Sequence, residues 1–248
     1  MLRMFSTVSF LLLLINATLF ASTQVKIKTK WETVEGELVS MTPDGSPIIK
    51  HKAGPQVKIP KQDILAVEMP APPSFQSARE SFVQGQFKKV LELLGDSMES
   101  YAGLPVPWVA EALFMAAESH LQLNQGKAAA EILQKMERHY RDTPFQDRAT
   151  LAKARLAMEE KRNGDARDLL KPILDKADAA LDLPPEQAPI CAGALWLSGQ
   201  LFEKEGKLNE ALESYLRVTS FFSEPASVVE QSKIAAEQLK KKGTAFVP

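Results

Sequence analysis

Between residues 24 and 69, apolar and polar positions alternate with the period of strands buried on one face. Val25-Lys-Ile-Lys-Thr-Lys-Trp31 is the first such run and Thr33-Val-Glu-Gly-Glu-Leu-Val39 the second. Turn residues at Pro43-Asp-Gly45 and Ala53-Gly-Pro55 bracket a third run, Pro47-Ile-Ile-Lys50. Val57-Lys-Ile-Pro60 and Ile64-Leu-Ala-Val67 complete the set. So many short strands in so little chain predict a small all-β, barrel-like module over residues 24–69, either a small barrel or a tightly curled sheet. Pro70-Ala-Pro-Pro73 then stiffens the chain and places a linker at 70–74.

From Phe75 the apolar period becomes helical, and a repeat domain is expected over 75–244. Ala192 to Phe222 is its clearest unit. One helix carries Leu195, Trp196, Leu197, Gly199 and Phe202; Glu205-Gly206-Lys207 turns the chain; a second helix carries Leu208, Ala211, Leu212, Tyr215 and Val218. The set Gly199, Phe202, Ala211 and Tyr215 resembles the tetratricopeptide repeat, in which small residues let paired helices approach and large ones fill the space beside them. Ser198 departs from that family, which often has leucine there. The spacing recurs at Ala117, Ala129 and Leu133; at Ala78, Val90 and Leu94 with Gly85 at the turn; and at Ala157, Leu169 and Ile173 with Gly164 at the turn. Ala78, Ala117, Ala157 and Gly199 lie 39, 40 and 42 residues apart, longer than the family period of about 34. The fold expected is mostly α: an α-solenoid of about four helix hairpins plus a capping helix, preceded by the β module. The cap is placed at Ala226 to Lys241, with Val228, Val229, Ile234, Ala235 and Leu239 on its apolar face and Gly243 closing it. The β module, with Gly36 inside a strand and the ending Val57-Lys-Ile-Pro60-Lys-Gln-Asp63-Ile64, resembles Sm-like small barrels.

The first 21 residues read as a secretion signal: Arg3, the apolar run from Phe10 to Phe20, and the small residues Ala21 and Ser22. The run falls short of the ~20 residues of a membrane span. An uncleaved anchor is the rival reading. The expectation is export to the periplasm or exterior of a bacterial cell, with no stable membrane span after cleavage. With 30 basic and 31 acidic residues, the net charge of −1 gives no reason to expect nucleic acid as a partner. Three consecutive lysines, Lys240 to Lys242, fit a helix C-terminus, with a basic patch as the alternative.

Candidate chemistry is sparse. Cys191 is the single cysteine, which excludes an internal disulfide and a zinc site built on several thiolates. His51, His120 and His139 do not share metal-ligand spacing. Gly95-Asp96-Ser97 follows a helical run rather than a strand, so it reads as a helix end and not as a hydrolase nucleophile. No catalytic residues, metal or cofactor are expected. What remains is a binding face on the first helix of each hairpin. Glu111, Phe114, Glu118 and Gln122 fall on one face of the second hairpin's first helix. Matched spacing adds Met158 and Lys161 in the third hairpin, and Trp196, Gln200 and Glu203 in the fourth. Such a groove suits an extended or helical segment of a partner protein, although Phe114 and Trp196 read equally well as packing residues. The resemblance implies a protein-interaction scaffold of the cell envelope, with self-association open. Cell-wall or polysaccharide binding through the β module, with Trp31 as its strongest aromatic, is the alternative.

Overall fold

A computed structural model describes residues 24–242, except 52, 53, 96, 97, 99, 100, 142 and 180–182. The expected secretion signal, the Asp96-Ser97 pair and Gly243 lie outside the described residues.

The N-terminal segment forms β1 (Gln24–Thr29), β2 (Thr33–Met41), β3 (Pro47–Lys50), β4 (Gln56–Lys58) and β5 (Ile64–Glu68), with a 3₁₀ turn at Lys61–Asp63. All pairings are antiparallel, and the order is β4-β3-β2-β1-β5. Alternation is strict in β1 and the start of β2: Val25, Ile27, Val34 and Leu38 are buried, while Lys26, Lys28 and Glu35 point outward. The sheet is open. β4 and β5 stand at its two edges, so the expected small all-β module is present as an open sheet and not as a barrel. The reason lies in length and cover. β4 has three residues, all exposed, and the apolar face is closed by helices instead, in one continuous core running from Val25 and Ile27 through Leu113 to Leu156.

Nine α-helices follow among the described residues: α1 (Pro73–Val83), α2 (Phe87–Leu94), α3 (Pro107–Gln122), α4 (Gly126–His139), α5 (Gln146–Glu159), α6 (Asn163–Ala179), α7 (Ala188–Lys204), α8 (Leu208–Phe221) and α9 (Ala226–Lys241). The first begins inside the proline segment, two residues earlier than expected. Pro73 occupies the first helical position, where its missing N–H costs nothing. Successive helices pack as the pairs α1/α2, α3/α4, α5/α6 and α7/α8, with α9 on α8. The odd-numbered helices also touch one another in series, α1 to α3 to α5 to α7 to α9. The expected small residues Ala78, Ala117, Ala157, Ala129 and Ala211 are all buried.

In the α7/α8 pair, a Cβ at Gly199 would lie 2.3 Å from Tyr215 Cε1, so the tyrosine ring occupies the volume that any other residue's side chain would need. The third pair departs from the expected register. Leu169 is half-buried, and Ala166, Leu170 and Ile173 make the core contacts of α6. Its turn residue is Lys161, in the left-handed region at φ 61°, and not Gly164, which belongs to the first turn of α6. In α9 the buried residues are Ser232, Ala236 and Leu239, with Val228, Val229 and Ala235 half-buried. Ile234 is 47% exposed and does not share that face.

The sheet is fixed to the helices at one place in particular. The Trp108 indole Nε1 donates to the Met69 carbonyl at 2.8 Å, joining the end of β5 to the start of α3. Across the β2–β3 turn, Gly45 meets Gly103 of the α2–α3 connection and the His139 ring at the end of α4. Tyr140 Oη is buried behind them; it accepts from the Gly103 N–H and donates to the Leu104 carbonyl, both at 2.9 Å.

Candidate functional site

The odd-numbered helices leave a groove between them. Its larger recess, about 830 Å³, is lined from α3, α5, α7 and α9, with Phe82 at one end. A smaller recess of about 500 Å³ adjoins it between α1, α3 and α5, sharing Phe82, Phe114 and Arg148.

The floor of the junction is aromatic. Phe114 lies 6.3 Å from Phe82 and 6.1 Å from Phe145 between ring centroids. All three rings are half-buried, and Val83 beside them is 86% exposed. At the far end Trp196 is half-buried, its ring 5.1 Å from that of Tyr215. A half-exposed ring retains part of its transfer free energy for a ligand, on the order of 25 cal/mol for each Å² covered.

Ion pairs brace the groove walls. Arg79 on α1 holds Glu111 on α3 through two hydrogen bonds, 2.6 and 3.0 Å. These bonds raise the guanidinium pKa further above its ordinary value. Arg155 on α5 meets Glu118 on α3 at 2.8 Å, and Glu118 also accepts from Gln122 at 3.0 Å. Arg148 reaches over the Phe145 ring, 5.9 Å from its centroid.

Of the residues expected on this face, Glu111, Phe114, Glu118, Gln122, Trp196 and Gln200 line the two recesses. Three do not. Met158 is buried in the core formed by α5, α6 and α7, and Lys204 of α7 donates to its carbonyl at 3.3 Å. Lys161 sits in the α5–α6 turn, past the last residue of α5 and exposed. Glu203 faces α8 and accepts from Tyr215 Oη at 2.8 Å. Burial, reinforced by that carboxylate, pushes the Tyr215 phenol above its usual range.

Matching by repeat spacing missed the groove face of α5, which carries Arg148, Leu151, Ala152, Arg155 and Glu159. Their offsets of three, four, seven and eleven are those of one helical face, so the signal was present in the sequence. Phe82 and Phe145 lie at a helix C-terminus and just before a helix, where periodicity carries little information.

Cys191 is fully buried with its Sγ 4.0 Å from the Ile173 carbonyl, and burial raises its thiol pKa. Among the described residues, no group of three or more His, Cys, Asp or Glu side chains could hold a metal ion. No described helix is long and apolar enough to cross a membrane. No protein-family model, curated protein or solved structure matches the chain.

Proposed function

We propose that this is an exported, non-catalytic interaction protein whose groove holds a segment of a partner protein in the bacterial cell envelope. In this reading the helices are an α-solenoid of four tetratricopeptide-like hairpins closed by α9. The odd-numbered helices form its inner face, and residues 1–21 are the export signal. The observation that carries the proposal is the run of half-buried rings, Phe82, Phe114, Phe145 and Trp196, along a groove that four ion-paired side chains hold open. Core packing does not require those rings to face solvent, whereas a partner's apolar side chains would cover them.

A photo-crosslinking residue placed at Gln122, exposed in the groove, tests it against one at Lys127, exposed on α4. The expected outcome is a discrete adduct from position 122 in cells, absent at 127 and lost when Phe114→Asp is added. Equal adducts from both positions would overturn it.

A second reading has one specific observation behind it. Trp31, in the β1–β2 turn, is 83% exposed, as a sugar-stacking aromatic would be. Retention of the full chain on peptidoglycan or a soluble glycan, abolished by Trp31→Ala, would favour it over the groove.

A further inference from the structure

The groove's charges indicate what kind of segment it takes. Arg148, Leu151, Arg155 and Glu159 follow one another along the exposed face of α5. The middle charge is neutralised, because Arg155 is paired with Glu118 across the groove. The two outer ones are not: among the described residues, neither Arg148 nor Glu159 has a hydrogen-bonding or ion-pairing partner. Glu80 is also unpaired, but it lines only the smaller recess, on the α1 side. Along α5 the larger recess therefore presents a free cation at one end and a free carboxylate at the other, with Leu151 between them and Ile190 and Trp196 of α7 in the same lining.

Resting on the groove reading above, we infer that the partner segment is dipolar: an acidic side chain opposite Arg148, apolar side chains along the middle, and a basic side chain opposite Glu159. The eleven positions from Arg148 to Glu159 span about 16 Å of helix axis. An extended chain covers that length in about five residues. The acidic and basic residues of a bound strand thus lie about five positions apart. A uniformly acidic segment would meet Glu159, and a uniformly basic one Arg148, each at the cost of a like-charge contact.

The test uses fluorescein-labelled octapeptides of one apolar core sequence. The first has aspartate and lysine five positions apart; the others carry lysine at both positions or aspartate at both. Fluorescence anisotropy on the full chain should show the mixed peptide binding roughly fivefold tighter than either uniform one, with the preference shrinking as salt rises. Arg148→Glu should move the preference to the two-lysine peptide, and Glu159→Lys to the two-aspartate peptide. Both positions are exposed, and circular dichroism verifies that the variants remain folded. Equal affinity for all three peptides, or a preference that ignores both reversals, would overturn the dipolar inference while leaving the groove reading intact. Binding unaffected by Phe114→Asp would instead place the peptides outside the groove and overturn both. Absence of binding by any peptide at millimolar concentration would also overturn the dipolar inference; the crosslinking experiment still decides the groove.

Discussion

The sheet–helix junction and the α7/α8 pair are built from the same parts. Each has a glycine packed closely against its neighbours and a buried tyrosine whose hydroxyl is satisfied. In the pair, Gly199 and Tyr215 lie on adjacent helices, and Tyr215 finds Glu203 one turn beyond the glycine. At the junction, Gly45 comes from a β-turn, Gly103 from a helix connection and Tyr140 from the end of α4. The pair is local, so its spacing repeats and can be read. The junction joins segments far apart in the chain, and no period marks it. It also binds backbone groups, which have fewer ways to be rescued than a half-exposed carboxylate.

Four measurements break or sharpen this contrast. The largest effect is expected from Gly199→Ala. The new methyl must displace the Tyr215 ring, at a cost of about 2–3 kcal/mol. The readout is the urea midpoint at unchanged slope. A gain in stability, as helix propensity alone would give, would mean that close approach does not define the pair. Next is Tyr140→Phe, which leaves the Gly103 N–H buried without a partner and the Leu104 carbonyl with the Val106 N–H alone. The expected loss is about 2 kcal/mol. Tyr215→Phe should cost less, about 1 kcal/mol, because Glu203 is half-exposed and water replaces the phenol. If the two tyrosines prove equal, the distinction between backbone and side-chain partners fails.

The smallest effect belongs to His139. Burial lowers its pKa from 6.5, with Lys61 and Arg138 adding to the shift and Asp44 opposing it. The unfolded chain therefore binds this proton more readily than the folded one. The stabilisation is complete above about 6.5 and is lost as pH falls through the lower folded value. Between pH 7.5 and 5, the wild type should lose more stability than His139→Gln. An equal loss in both would remove His139 from the junction's energetics.

Much of the fold was legible because it is periodic. The last helix has the limits expected, Ala226 to Lys241, and the five strands fall where alternation placed them. Closure of the sheet was not legible, because it depends on whether helices far along the chain cover the apolar face. Within the site, Glu111, Phe114, Glu118 and Gln122 follow one another on a single helix, and the structure keeps them together. Met158, Lys161 and Glu203 were carried over from one helix pair to the next by spacing. For Lys161 that step fails because α5 ends at Glu159 and the following turn puts Lys161 in the left-handed region, while Met158 and Glu203 lie on faces turned to the core and to α8. Arg148 and Glu159 lie off the positions that recur between hairpins, so repeat spacing does not reach them, although both share one face of α5.

Trp108 has one further consequence. Its indole holds the sheet, and six residues later on the same helix Phe114 enters the groove. Sheet and helices also share one uninterrupted apolar interior. A protease that nicks the proline segment would therefore not release two intact halves; it would leave Trp108 and its neighbours wet on one side and strand backs bare on the other. The segment at residue 70 divides the chain in composition but not in cooperativity, and heating should melt the strands and α1 to α5 in one transition.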